Sequence, residues 1–161
     1  MNFKTADLYD EFSGDVQVVG LPLKDYGGRL SFCGEIQTIR VPRDFLLIKQ
    51  MLSSEGKGRV LVIDGDGAMN YALLGDRLAQ FAVDNNWAGV LVNGSIRDSV
   101  DIGKLDLGVK ALGTCPARPA MNGDGETDID VSFGDVTYRP GDYLYADPDG
   151  VLVKQVVKIT D

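Results

Sequence analysis

The amino-acid sequence predicts an α/β protein with a central βαβ unit and a β-rich C-terminal half. Residues 60–63 form an unbroken apolar run, which is typical of a strand that is buried on both faces. Residues 89–92 form a second such run, and the helical apolar spacing of residues 75–85 lies between the two. Two parallel strands joined by a helix are therefore expected at the centre of the sheet.

The segment before residue 60 contains helix and strand signals in alternation. Thr5 is predicted to cap a short first helix, because threonine side chains accept hydrogen bonds from the first helical amides. The other elements are predicted, in order, as a strand at 16–19, a loop at Gly27 and Gly28, a strand at 34–41 and, after Pro42, a helix at 45–52.

The segment after residue 63 is predicted to begin with a loop at residues 64–74, which is rich in Gly and Asp. The second buried strand is predicted to end at Asn93 and Gly94. Beyond Leu105, short strands separated by turns are predicted at 109–112, 129–133, 136–138, 143–145 and 151–153. Because the sequence contains no repeat or linker, residues 1–161 are predicted to form one domain.

The composition restricts the kinds of function that are open to the chain. It has 161 residues and a net charge of −8, which argues against direct binding to nucleic acid. It contains no histidine, so a Ser-His-Asp triad, a Cys-His pair and a His-ligated zinc are all excluded. There is no apolar stretch of the ~20 residues that a membrane span needs and no signal peptide pattern. A cytoplasmic location is expected, with Cys33 and Cys115 as buried, reduced thiols.

Three side chains follow the predicted strands of the βαβ unit at the same edge of the sheet. Asp76 opens the helix between the strands, and Arg97 and Asp98 come after the second strand. Ligands of open α/β sheets bind beyond the carboxyl ends of the strands. We therefore expect Asp76, Arg97 and Asp98 to converge on one site.

Each of these residues has a functional and a purely structural interpretation. The amides at the helix start, next to Gly75, could bind a carboxylate or phosphate, but Asp76 could equally be a simple cap. Arg97 could hold an oxyanion and Asp98 could bind a hard cation, Mg²⁺ or Mn²⁺, but the two could equally be a solvated surface pair.

Other charged motifs are weaker candidates. Residues 64–67 lack the ending of a phosphate-binding P-loop and the spacing of an EF-hand. Lys154 and Lys158 could form a Schiff base, although exposed edge-strand lysines are more common. Asp147 is expected to be a turn residue.

Five motifs give the chain a resemblance to a known family over nearly its whole length. The sequence resembles the RraA-like proteins (regulators of ribonuclease E activity) and the class II 4-hydroxy-4-methyl-2-oxoglutarate aldolases. The motifs are Gly27-Gly28-Arg29, Gly58-Arg59-Val60-Leu61-Val62-Ile63-Asp64-Gly65, Ala72-Leu73-Leu74-Gly75-Asp76, Gly94-Ser95-Ile96-Arg97-Asp98 and Gly141-Asp142-Tyr143-Leu144-Tyr145-Ala146-Asp147.

The resemblance implies a β/β/α fold of the swivelling phosphohistidine-domain type, assembled as a homotrimer with active sites between subunits. It implies a divalent-metal-dependent aldolase that releases pyruvate from 2-oxo acids, with oxaloacetate decarboxylation as a second activity. Arg97 would contact the substrate, Asp98 would ligate the metal and Asp76 would hold a water on the metal. The substrate carboxylate would be bound by the backbone of Gly75, Asp76, Arg77 and Leu78.

The resemblance leaves a second function open. Short members of the family lack the residues equivalent to Asp76 and Asp98 and act by binding and inhibiting ribonuclease E. The larger aldolases have a C-terminal extension that supplies a further carboxylate, and the present sequence stops at Asp161 without it. The chain thus has the length of the regulators and the site residues of the enzymes.

Overall fold

A mixed β-sheet forms the centre of the protein in the computed structural model, which describes residues 2–156. Its four helices are α1 (Thr5–Phe12), α2 (Leu46–Leu52), α3 (Asp76–Asp84) and α4 (Ser99–Ile102) within those residues. The strands there are β1 (Val16–Val18), β2 (Lys24–Asp25), β3 (Phe32–Arg40), β4 (Val60–Leu74), β5 (Gly89–Ile96), β6 (Gly108–Thr114), β7 (Glu126–Thr127), β8 (Val131–Phe133), β9 (Val136–Tyr138), β10 (Tyr143–Asp147) and β11 (Gly150–Lys154).

The strand order of the sheet is β1-β11-β10-β3-β4-β5-β6-β2, and β7 pairs with β3. Strands β3, β4, β5 and β6 are mutually parallel, whereas β10, β11, β1 and β2 join the sheet in antiparallel pairs. Strands β8 and β9 form a separate antiparallel hairpin. The predicted α/β class and the parallel pair at its centre are therefore confirmed, as a mixed sheet with few helices.

The apolar run in β4 is buried on both faces of the sheet. Leu61 and Ile63 pack into a core cluster with residues of α2 and α3, while Val60 and Val62 pack into a second cluster with β8 and β9. Because successive side chains of a strand point to opposite faces, the helices and the hairpin cover opposite sides of the sheet. Burial on both sides explains why the sequence shows no polar alternation there.

The predicted loop at residues 64–74 is wrong, because β4 continues without a break to Leu74. The strand accommodates its Gly- and Asp-rich part by shifts in register against β5 between Asp64 and Leu74. Asp66 and Gly67 have positive φ angles of 57° and 71°, which Asp and Gly tolerate better than most residues. Because β5 stays paired with this longer β4, it does not end at Asn93 and Gly94 but extends to Ile96.

The expected role of Thr5 as a helix cap is also wrong. Lys4 holds the N-cap position and makes no side-chain capping bond. Thr5 instead donates its amide and its hydroxyl to the buried carboxylate of Asp147, at 2.8 and 2.6 Å. Asp147 does precede a turn, as expected, but it also ties α1 to the end of β10. A tertiary partner 142 residues away has replaced the local bond.

Two further expectations are corrected at the termini and the cysteines. Lys154 does not lie on an edge strand, since β11 is flanked by β1 and β10, and its ammonium lies 5.0 Å from the centre of the Phe12 ring. Lys158 lies outside the described residues. Cys33 is buried, as expected, but Cys115 is only half-buried. None of the helices within residues 2–156 is long and apolar enough to cross a lipid bilayer.

Candidate functional site

Strands β4 and β5 end side by side at one edge of the sheet. Leu74 and Ile96 are the last residues in register, and the amide of Arg97 donates to the carbonyl of Leu74 at 2.9 Å. Gly75 and the start of α3 therefore leave the sheet directly beside Arg97 and Asp98. The structure thus brings together the three residues that the sequence predicted to converge.

Asp98 turns back toward the start of α3. Its φ and ψ angles of 57° and 40° place it in the left-handed region, and its Oδ2 accepts a hydrogen bond from the Asp76 amide at 3.1 Å. The same oxygen lies 4.0 Å from Nε of Arg97, with the two side chains 36% and 35% exposed. This single long contact is a weak ion pair, so both side chains remain available to a ligand.

Gly75 permits this close arrangement. A Cβ atom at this position would lie 2.9 Å from Oδ2 of Asp98 and 3.4 Å from Nε of Arg97. Gly75 is also the N-cap of α3, so the alternative in which Asp76 is merely the cap does not hold. Asp76 is the first residue of the helix, and its side chain is free to face the site.

The Asp76 carboxyl has a perturbed acidity. Partial burial raises its pKa above the ordinary aspartate range, and both a hydrogen bond with Asp98 and the charge of Asp98 raise the pKa further. The amide of Arg77 acts in the opposite direction. A carboxylate whose pKa is raised by a neighbouring carboxylate lies where a cation or a proton is favoured.

A cleft of about 130 Å³ opens beside the start of α3. Its lining includes all the residues that were predicted to bind substrate: Gly75, Asp76, Arg77, Leu78 and Arg97. Asp98 lines a second cleft, together with Thr114, Cys115 and Pro116, and Arg97 belongs to both clefts. The predicted substrate and metal residues thus occupy adjoining spaces that share Arg97.

Two basic residues of the cleft have no counterpart in the sequence-based prediction. Lys49, from α2, and Arg118, from the segment after β6, line the same cleft as the start of α3. The guanidinium of Arg118 lies 5.5 Å from the centre of the Phe45 ring, which also lines the cleft. Neither residue lies in a recognisable motif, and only their tertiary placement reveals them.

The residues present fit a hard divalent cation. Within residues 2–156, no group of three or more Asp, Glu, Cys or His side chains is arranged to hold a metal ion. Asp98 and Asp76 offer two neighbouring carboxylates instead. Mg²⁺ is commonly held by one or two carboxylates together with water and substrate oxygens. The pair is therefore suited to Mg²⁺ or Mn²⁺ and not to a fully protein-enclosed metal.

The fold and the site define an α/β protein with a cationic, ligand-sized cleft beyond the carboxyl ends of two parallel strands. Its sequence matches the model of the RraA-like family, described as Aldolase/RraA, over residues 5–153. The chain belongs to this family.

The relatives carry several functional names. A protein of Laribacter hongkongensis (strain HLHK9), provisionally named 4-hydroxy-4-methyl-2-oxoglutarate aldolase, is 50% identical over 152 residues, which are 94% of this chain and 96% of the relative. A Geobacillus kaustophilus structure, titled S-adenosylmethionine: 2-dimethylmenaquinone methyltransferase, has a TM-score of 0.94 and 46% identity, with 96% of each chain covered.

The structure of the RNA-processing inhibitor RraA from Thermus thermophilis has a TM-score of 0.92 and 38% identity. The match covers 96% of this chain and 93% of that one. An aldolase, a methyltransferase and an inhibitor are thus named on closely similar chains. A shared fold does not determine the activity, so function must be argued from the site.

Proposed function

We propose that this protein is a divalent-metal-dependent lyase that cleaves 2-oxo acids through a pyruvate enolate. The proposed activity is 4-hydroxy-4-methyl-2-oxoglutarate aldolase, with oxaloacetate decarboxylase activity beside it. The convergence of Asp76, Arg97 and Asp98 at the start of α3 carries this proposal. The aldolase name borne by relatives at 44–50% identity supports it.

The start of α3 is our candidate binding site for the carboxylate next to the 2-oxo group. The first amides of a helix lack intrahelical acceptors and lie at the positive end of the helix dipole. The amide of Asp76 already donates to Asp98, and the amide of Arg77 donates to the Asp76 carboxylate, so the amide of Leu78 is the donor we assign to the substrate. Leu78 lines the cleft.

Asp98 is our candidate ligand for Mg²⁺ or Mn²⁺, with Asp76 beside it. When bound, the cation would act as a Lewis acid that stabilises negative charge on the ketone oxygen of the substrate. Arg97 would add a fixed, planar set of donors for the same developing charge. The loss of one such donor typically lowers the rate by about 10²–10³-fold.

Asp76 is our candidate for handling the proton of the aldol reaction. Retro-aldol cleavage breaks the C3–C4 bond and requires that the 4-hydroxyl lose its proton, directly or through a water. A raised pKa makes the Asp76 carboxylate a better base than an ordinary aspartate. Decarboxylation of oxaloacetate breaks the corresponding bond with loss of CO₂ and needs no such base.

The direct test is pyruvate release from oxaloacetate and from 4-hydroxy-4-methyl-2-oxoglutarate, assayed side by side with and without Mg²⁺ or Mn²⁺. We expect turnover of both substrates, with metal dependence in each case. Borohydride reduction with pyruvate should label no lysine, including Lys49 in the cleft. Trapping of a lysine adduct, or turnover that is independent of metal, would contradict the proposed mechanism.

We also propose a fold type and an assembly for the protein. We assign the fold to the β/β/α swivelling phosphohistidine-domain type, supported by helices and hairpin on opposite faces of the sheet. We expect a cytoplasmic homotrimer with active sites between subunits. Light scattering coupled to size exclusion should then give three times the chain mass of 17.4 kDa.

Inhibition of ribonuclease E is the second candidate function. The similarity to the RNA-processing inhibitor RraA and the net charge of −8 favour it, since an acidic surface suits a basic partner. A pull-down with the basic C-terminal region of ribonuclease E tests this possibility. Salt-sensitive association is the expected result, and its absence at low salt would count against this function.

A further inference from the structure

The cleft beside α3 is basic, although the chain as a whole is acidic. Acidic residues outnumber Lys and Arg by 24 to 16 in the sequence. The cleft is lined by four basic side chains and one acidic side chain, namely Lys49, Arg77, Arg97, Arg118 and Asp76. The proposed reaction uses the side chain of Arg97 and only the backbone at Arg77, which leaves the side chains of Lys49, Arg77 and Arg118 without a role.

Within residues 2–156, no carboxylate forms an ion pair with Lys49 or Arg118. The ion pairs found among these residues, with N···O distances up to 4.0 Å, all involve other Lys and Arg side chains. Uncompensated cations that face a concave surface attract anionic ligands. The cleft therefore offers more positive charge than one bound carboxylate requires.

The backbone around Arg118 is anchored on both sides. The carbonyl of Ala117 accepts a hydrogen bond from the amide of Ala72 in β4 at 2.9 Å. Ala120 forms two hydrogen bonds with the segment before α2. Its amide donates to the carbonyl of Arg43 at 3.1 Å, and its carbonyl accepts from the amide of Phe45 at 3.0 Å. With its guanidinium also stacked over Phe45, Arg118 is held at the cleft and does not lie on a loose loop.

Asp44 is the residue that joins the Arg118 segment to the helix of Lys49. Its side chain is buried, with only 1% of the residue exposed, and its carboxylate accepts hydrogen bonds from four amides. The donors are Leu46, at the start of α2, and Asn122, Gly123 and Asp124, beyond Arg118. Asp44 thus acts as a positioning residue for both cations.

From these contacts we infer that Arg118 and Lys49 form a subsite for a second carboxylate of the substrate. Both proposed substrates carry such a distal carboxylate, and we assign to Arg118 and Lys49 its discrimination from an alkyl end. This inference rests on the proposed function only for the placement of the first carboxylate at α3. The planar guanidinium of Arg118 is well suited to bidentate contact with a carboxylate.

The sharpest test compares two five-carbon 2-oxo acids that differ only at the distal end. Both 2-oxoglutarate and 2-oxopentanoate are titrated calorimetrically into the full-length protein at a fixed concentration of Mg²⁺. We expect 2-oxoglutarate to bind at least about tenfold more tightly, as for one additional charge-assisted hydrogen bond. Equal affinities, or no binding of either acid, would overturn the subsite.

Variants assign the preference to the named residues. Arg118→Gln should weaken 2-oxoglutarate binding by about 10- to 100-fold and leave 2-oxopentanoate within about twofold. Lys49→Gln should weaken 2-oxoglutarate by a smaller factor. Arg139→Gln removes the same charge outside the cleft and should change neither affinity. A preference that survives in the Arg118→Gln, Lys49→Gln double variant would overturn the assignment.

Pyruvate release, measured on the same preparations, separates this inference from the proposed function. A preference for the dicarboxylate without any turnover would support the subsite and count against the lyase. Turnover without a preference would support the lyase and refute the subsite. In Arg118→Gln, the expected kinetic change is a raised KM for 4-hydroxy-4-methyl-2-oxoglutarate, whose distal carboxylate is not cleaved, with a smaller change in kcat.

Discussion

The two parts of the cleft wall are built in different ways. At the start of α3, Arg97 and Asp98 are placed by the register of two neighbouring parallel strands. At residues 116–125, Arg118 is placed by hydrogen bonds between segments that are far apart in the chain, with Asp44 at their centre. The first wall depends on the sheet itself, whereas the second depends on hydrogen bonds between loop segments, several of which converge on the buried carboxylate of Asp44.

This difference predicts different responses to substitution. Replacements at the start of α3 should alter chemistry with little effect on stability, because the side chains are partly exposed and the sheet remains intact. Replacement of Asp44 should alter stability and ligand selectivity together, because its carboxylate carries both. Substitutions on the two walls test this contrast.

Arg97→Ala should lower kcat for pyruvate release by about 10²–10³-fold, since it removes a fixed donor to the developing oxyanion. Arg97→Lys should recover only part of the loss, because an ammonium lacks the planar fork. Steady-state kinetics and thermal melting are measured together on both variants. A loss of activity that parallels a loss of folded protein would mean that Arg97 is structural.

Asp44→Ala should lower the free energy of unfolding by about 2–4 kcal/mol, because four backbone amides lose their buried acceptor. Urea denaturation measures this change. In the fraction that remains folded, affinity for 2-oxoglutarate should fall while affinity for 2-oxopentanoate is kept. Asp44→Asn, which retains one acceptor oxygen, is the matched control and should give an intermediate result. If a destabilised Asp44 variant kept its selectivity for 2-oxoglutarate, Asp44 would not position the second carboxylate subsite.

Gly75→Ala tests the packing of Asp98 against the start of α3. The new Cβ would lie 2.9 Å from Oδ2 of Asp98, and the flexible carboxylate can move away. We therefore expect a drop in kcat/KM of about tenfold with a stability change within about 1 kcal/mol. Native kinetics in this variant would show that the Asp76–Asp98 contact has no part in the activity.

The pH dependence of stability tests the bonds that hold α1. Burial raises the pKa of Asp147, but the hydrogen bonds donated by Thr5, Asp149 and Gly150 outweigh burial and hold the pKa below its ordinary value. Such a carboxylate stabilises the fold fully above its unfolded-state pKa, and that contribution disappears as the pH falls through its folded-state pKa.

Asp147→Asn should therefore lower the free energy of unfolding by about 1 kcal/mol at pH 7 and by less in acid. Thermal melting between pH 7 and pH 3 measures the difference between the variant and the native protein. The control is Asp7→Asn, on the exposed side of α1, whose melting temperature should change with pH in the same way as that of the native protein. A constant offset between Asp147→Asn and the native protein at every pH would contradict the assignment.

The first wall of the cleft could be predicted from the sequence and the second could not. Buried runs at residues 60–63 and 89–92 are local signals, and parallel strands bring their carboxyl ends to one edge. Arg118 and Lys49 give no such signal, because the amides that bind Asp44 lie up to 80 residues from it. The role of Thr5 could not be predicted for the same reason, because its partner Asp147 lies 142 residues away in the chain.

The course of β4 shows a second limit. Gly- and Asp-rich residues 64–67 have the composition of a loop, and only pairing with β5 keeps the chain in the sheet through its register shifts. This error did not disturb the site prediction, because Gly75 still follows the end of the strand directly. The chemical roles of Asp76, Arg97 and Asp98 stay predictions.

The role of Asp98 as a metal ligand is tested by pyruvate release from oxaloacetate, measured for native protein and Asp98→Ala with Mn²⁺ and then with excess EDTA. If Asp98 holds the catalytic cation beside Arg97 and α3, both the substitution and the chelator will abolish turnover, while the variant melts like the native protein. Activity that survives in Asp98→Ala and in EDTA alike would show that the reaction takes place elsewhere or by other chemistry.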